Sequence, residues 1–283
     1  MSKLTPFILI VVFITLSSLP SCRKVSDYIH GHPDAHDSLC RIIKMSVSTY
    51  YSANLYTFSY NRNGDPISIL DTNRIGTNGN DDQYFRYDRS GRLSDHVLTF
   101  IGETDNVIAW HKYGYPRNNF ITDTAIYYFG DVTKPAPNAA NAPNGYSIFG
   151  YTLDVHGRII QYWSLPKDPH QTPPPPENVT YDANGNLTSS NPERYYDDKV
   201  NVYRTNKVWQ FVYGDYSRNN LLPRSPSNPV YPRVPDPVYN DFGLPLLIPN
   251  SFERTMGLFG MNNIAPVIEL TYACRISQGP INY

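Results

Sequence analysis

The sequence predicts an all-β fold, an antiparallel meander of hairpins forming a curved sheet with an irregular, proline-rich C-terminal part. Three observations predict it. An Asp or Asn followed three residues later by Gly recurs at Asn61 and Gly64, Asp88 and Gly91, Asp154 and Gly157, and Asp182 and Gly185. Residues rich in Tyr, Val, Ile and Thr, with partial alternation of apolar and polar positions, flank these turns. Prolines then crowd residues 222–249, where a strand ladder would lose its donors.

The elements follow in chain order. Lys3 gives a minimal positive start, Phe7 to Leu16 is an unbroken apolar run, and Ser17 to Ser21 turns small and polar, the pattern of a signal peptide over residues 1–21. The run is about half of the roughly 20 residues a membrane-spanning helix needs. Leu19, Pro20, Ser21 and Cys22 resemble a lipobox, the site at which a lipoprotein peptidase cuts before an acylated Cys. That resemblance implies a bacterial lipoprotein, held to a lipid bilayer through acylated Cys22 and facing the cell envelope, most simply at the outer membrane. Each buried acyl methylene contributes about 0.8 kcal/mol, so an anchor of two or more chains holds without a transmembrane helix. Residues 22–39 then read as a tether, and residues 40–283 as a single β domain.

Composition narrows the function. The formal charge is −1 and lies in no basic stripe, which excludes nucleic acid as a partner. Charged residues are only 17%, so the 24 tyrosines together with Asn, Ser and Thr must solvate much of the surface. Outside Cys22, Cys40 and Cys274 lie near the two ends of the domain. Two readings stand open for them: a disulfide, which an extracytoplasmic compartment permits, or two buried thiols. Neither has a neighbouring His to make it a nucleophile.

The four turns are hairpin connections. The first Asp or Asn accepts hydrogen bonds from following amides, and the Gly adopts a left-handed conformation that closes a type I turn with a bulge. Strands are expected at residues 55–60 and 67–70, 83–87 and 93–100, and 147–153 and 159–165. Further strands are expected at 41–48, 107–113, 124–129, 208–213 and 267–274, while 131–145 and 222–249 read as irregular. Pro173 to Pro176 form a short polyproline loop. Tyr87, Asp88, Gly91, Arg92 and Leu93, with Tyr181, Asp182, Gly185, Asn186 and Leu187, resemble the unit of YD-repeat (RHS-type) proteins, and the chain is similar to small envelope lipoproteins built from a few such units. The likeness covers residues 46–209, departing at Asn61, Pro66 and Leu153. Large RHS proteins wrap cargo in a closed shell; four units here are too few for that role.

Candidate chemistry is sparse. His30, His32, Asp34 and His36 have metal-ligand spacing but sit on the tether between Gly31 and Pro33, which gives them no rigid scaffold, so no metal is expected. Asp71, Asn73, Gly76 and Asp82 fall on a calcium-loop template broken at Ile75, and a polar hairpin loop is the better reading. Asp81 with Asp82 and Asp197 with Asp198 read as solvated loop acids. Tyr115 to Phe120 and Tyr216 to Leu221 share a Tyr followed by Arg-Asn-Asn, readable as loop-shaping or as a sugar-binding ledge. No cofactor is expected. The leading reading is a non-catalytic binding module for a glycan or an envelope protein; the alternative is an extracellular polysaccharide or peptide hydrolase whose acids, such as Asp154 and Asp182, converge only in the fold.

Overall fold

The structure is a computed structural model and describes residues 40–48, 53–73, 82–100, 102–127, 130–142, 144–168, 170–188, 194–222, 236–249, 259 and 267–274. The leader, Cys22 and the tether histidines lie outside the described residues, as do Gly76 and most of the proline tract.

The chain is predominantly antiparallel β, as expected. Ten strands run as a meander: β1 (Cys40–Ser48), β2 (Ala53–Tyr60), β3 (Pro66–Asp71), β4 (Asp82–Tyr87), β5 (Leu93–Thr99), β6 (Val107–Arg117), β7 (Phe120–Ile126), β8 (Tyr146–Leu153), β9 (Ile159–Leu165) and β10 (Glu177–Asn178). After β11 (Tyr195–Val200), a helix α1 (Lys207–Tyr213) and β12 (Asn219–Leu222), the chain returns through β13 (Val238–Tyr239), β14 (Pro245–Pro249) and β15 (Val267–Cys274). These last three join the free side of β1, giving an open 13-stranded sheet in the order β10 back to β1, then β15, β14 and β13, while β11 and β12 pair separately. Cys40 opposes Cys274 in the β1–β15 ladder, and the two sulfurs are bonded at 2.07 Å.

The run Val208 to Tyr213, expected as a strand, is the core of α1. Its β-branched and aromatic residues favour a strand locally, but Asn206 accepts from the Val208 amide as an N-cap and Gly214 closes the helix at φ 65. Burial outweighs propensity: Trp209 is fully buried among Phe58, Phe85 and Phe259. The helix also shows that the sheet is curved. Phe58 of β2 meets Trp209 at 5.8 Å and Tyr151 of β8 meets Phe211 at 5.8 Å. Strands six places apart in a flat sheet stand about 29 Å from each other, whereas α1 is only about 10 Å long. The sheet therefore curls around the helix.

The opposite face of β5 to β7 carries a second core of Val97, Val107, Trp110 and Ile126. The irregular tract at 131–145 covers it with Val132, Ala136, Ala139 and Ala142, and Arg86 pins this cover through the Lys134 carbonyl at 3.1 Å. The expectation of an irregular 222–249 is corrected in part, because β13 and β14 form a hairpin at its end.

Candidate functional site

The site is built on the repeated turns. At each of Asn61, Asp88, Asp154 and Asp182 the side-chain Oδ1 accepts from the amides two and four residues on, at 2.8 to 2.9 Å. The glycines at the fourth position sit at φ 92, 74, 77 and 85, which L side chains avoid. A fifth turn of the same geometry stands at Asn240, whose Oδ1 accepts from Phe242 and Leu244, with Gly243 at φ 73. It was readable as Tyr239, Asn240, Gly243, Leu244 and Pro245, a spacing that matches Tyr60, Asn61, Gly64, Asp65 and Pro66.

A tyrosine seals every one of these turns. The residue just after each turn offers its carbonyl to a Tyr hydroxyl: Pro66 to Tyr87, Leu93 to Tyr115, Ile159 to Tyr181, Leu187 to Tyr196 and Pro245 to Tyr272, at 2.6 to 2.8 Å. Tyr60 does the same to Ile42 at 2.7 Å. Burial pushes the phenol of Tyr115 up to about 12 and raises those of Tyr87, Tyr181 and Tyr272 as well.

Two turns carry more than structure. Arg92 and Arg158 each return to their own turn aspartate, Nε to Oδ2 at 2.8 Å in both, and each guanidinium covers the sealing tyrosine, 4.3 Å over Tyr115 and 4.2 Å over Tyr181. Hydrogen bonds from Arg92 and Ser90 hold the Asp88 carboxyl below its ordinary range. At Asp154 burial pulls upward, but hydrogen bonds from Arg158 and His156 outweigh it and the net shift is down.

Between these two turns and α1 lies a cavity of about 410 Å³. Its walls are largely apolar, with Leu93, Ile121, Leu153, Val208, Phe211 and Tyr216 from strands and segments far apart in sequence. Its polar lining is cationic: Arg92, Arg158, Arg204 and Lys207 face it, and no carboxylate does. Gln210 also lines it, more than nine-tenths buried, its side-chain amide without a hydrogen bond among the described residues. The matched Tyr115 and Tyr216 of the two Arg-Asn-Asn elements both reach this cavity. Their surroundings differ: Arg117 and Phe120 close the β6–β7 hairpin, whereas Asn219 and Asn220 bond Asn186, Lys199, Asp197 and Val200 around β12.

A second polar group lies beneath α1. Tyr213 donates to Gln83 Oε1 at 2.6 Å, His96 Nε2 lies 2.9 Å from the same oxygen, and the Gln83 amide donates to the Phe259 carbonyl. Burial first, then the neighbouring His111, holds the His96 pKa well below that of free imidazole, so its ring is neutral at pH 7. His111 in turn contacts Asp123 at 2.9 Å.

The remaining sequence candidates take other roles. Asp82, read as a solvated acid, is buried: it accepts from the Asp71 and Gly102 amides and ties both ends of its loop. Asp71 accepts from the Asn54 side chain on β2 and from the Asn73 amide, so the acids of the calcium template serve nearby amide groups. Asp197, also read as solvated, accepts from Asn220 and from the Tyr239 hydroxyl, whereas Asp198 beside it is exposed. The buried amides and hydroxyls around both acids recruited them inward. Asp154 and Asp182 each cap their own turn. Among the described residues no three His, Cys, Asp or Glu side chains gather to hold a metal ion, and no helix is long and apolar enough to cross a membrane. The chain matches no protein-family model and none of the curated proteins.

Proposed function

We propose that the chain is a membrane-anchored lipoprotein of the bacterial envelope, tethered through Cys22, whose YD-type β domain is a non-catalytic binding module with the cavity beside α1 as its ligand seat. One observation supports the seat above all: a concave, mostly apolar space with a few convergent polar groups, held by rigid turns on one side and a capped helix on the other. Its volume suits an inserted group, a sugar ring or a small molecule, better than a flat protein partner. The acids that a hydrolase would draw on, Asp154 and Asp182, are both engaged by turn amides, and Asp154 by arginine as well.

Thermal shift against a panel of envelope glycans and small metabolites tests this reading. A ligand at about a hundred times its Kd stabilises by roughly 2.7 kcal/mol, or about 5 to 10 °C. Ile121→Phe, which projects a larger ring into the cavity, should abolish that shift while the unliganded melting temperature holds. Turnover of a polysaccharide or peptide substrate, lost on a single Asp or Glu substitution, would replace the binding module with the hydrolase. Wild type that partitions into the aqueous phase of a detergent extraction would remove the lipid anchor.

A further inference from the structure

We propose that the ligand is a small amphipathic organic acid, its anionic group held by Gln210 and Lys207 and its apolar body lying against Leu93, Ile121 and Phe211. The proposal rests on the cavity being the ligand seat and names the chemical class that the seat selects.

The argument is a census of donors and acceptors. Lys207 and Gln210 stand three residues apart on α1 and therefore share a helix face. Lys207 is exposed, has no ion pair among the described residues and brings three donors. Gln210 is largely buried and brings a side-chain amide with no partner among the described residues, its N–H donors free for a group that enters the cavity. Arg92 and Arg158 use Nε and Nη2 on their aspartates, so each retains further N–H donors at the same cavity. Acceptors are scarce by contrast. The lining holds no carboxylate; the hydroxyls of Tyr87 and Tyr115 spend their protons on backbone carbonyls and can only accept, so with Tyr216, His156 and the Gln210 oxygen they supply a few single, uncharged-oxygen or ring acceptors against the many donors. A neutral sugar, each of whose hydroxyls must donate to something, meets few acceptors here. A carboxylate or sulfonate, which only accepts, meets several donors in a site of reduced dielectric, where charge-assisted hydrogen bonds are strongest. The apolar walls then require an apolar body beside the acid.

Calorimetry on the full chain, with three probes, decides it. 1-Naphthylacetate should bind with one-to-one stoichiometry, and 2-(1-naphthyl)ethanol, with the same rings and no charge, at least about tenfold more weakly. Glucuronate, an acid without an apolar body, should give no heat. Lys207→Glu, at an exposed position, and Gln210→Met, of similar volume, should each weaken naphthylacetate about ten- to hundredfold and leave the alcohol unchanged, since each removes a charge-assisted hydrogen bond. Equal binding of acid and alcohol, unmoved by Lys207→Glu, overturns the organic acid and leaves the cavity as a seat for something else. Glucuronate binding as tightly as naphthylacetate overturns the amphipathic class. If neither naphthalene probe binds, and the glycan and metabolite panel gives no shift that Ile121→Phe removes, the cavity reading falls as well.

Discussion

The turns at Asp88 and Asp154 share a backbone with those at Asn61, Asp182 and Asn240, down to the glycine conformation and the sealing tyrosine, yet are set apart by the side chain at the fifth position. The fifth position is Arg92 or Arg158 in the first pair and Asp65, Asn186 or Leu244 in the others. The two arginine turns border the cavity, and the Asn61, Asp182 and Asn240 turns do not contribute to its lining. The lesson is one of division. The Asx, Gly and Tyr of each unit build the scaffold, and the position beside them is where a ligand site can be added without touching the fold.

The largest expected effect breaks this comparison if the turns are not equivalent. Gly91→Val, Gly157→Val and Gly185→Val should each cost about 1 to 3 kcal/mol, because a β-branched residue is strained at positive φ whatever space surrounds it. An added Cβ meets nothing within 4 Å at Gly91 or Gly157 and only side-chain atoms at 3.9 Å at Gly185, so backbone strain alone should set the loss. Denaturant midpoints measure it. Tolerance at Gly91 and Gly157 but not at Gly185 would mean that the arginine turns are held differently.

How far this was legible in sequence follows the range of each interaction. The turns are local: an Asp or Asn and a Gly three residues on carry their own geometry, and only the fifth, at Asn240, was lost among prolines that pointed to irregular chain. Pro245 sits where Pro66 sits in the first unit, the first residue of the outgoing strand. α1 was hidden because Val208, Trp209, Phe211, Val212 and Tyr213 favour a strand until a curled sheet is there to bury them. Asn206 and Gly214 were the signal, a cap at each end. The cavity had no local trace, since Leu93, Ile121 and Val208 meet only through the fold, and Asp82 and Asp197 were misjudged because several of their partners, Gly102, Asn220 and Tyr239, lie 20 or more residues away.

The tyrosine seals should have a middle effect. Tyr115→Phe, Tyr181→Phe and Tyr196→Phe keep the ring and lose the hydroxyl bond to a carbonyl, at about 1 kcal/mol each. The series also sharpens the alkaline limb of stability. Burial raises the folded-state pKa of Tyr115 to about 12, above the roughly 10 of an exposed phenol. Its contribution is therefore complete below about pH 10 and is lost as pH rises towards 12. Tyr115→Phe should be less stable at pH 7 and lose less between pH 10 and 12; an alkaline limb identical to wild type would remove Tyr115 from it.

The smallest effect on stability should accompany a large effect on binding, and it is the sharpest test of the division. Arg158→Met keeps an unbranched side chain and removes the guanidinium both from Asp154 and from the face of Tyr181. The ion pair and the cation–π contact are only partly buried, so their joint loss should cost roughly 0.5 to 1 kcal/mol. The folded-state pKa of Asp154 is depressed, so its contribution is present above the ordinary carboxylate value and is lost as pH falls through the folded one. Without Arg158 the Asp154 carboxyl keeps its amide donors and loses its cation, which moves the folded value upward. The variant should then lose less stability than wild type between pH 5 and pH 3. Its affinity for 1-naphthylacetate should fall, because a cation has left the cavity lining, whereas Asn186→Met, at the matching position of a turn outside the cavity, should leave that affinity unchanged. If Asn186→Met weakened binding as much as Arg158→Met, the effect would run through the scaffold, and the fifth turn position would have no separate role.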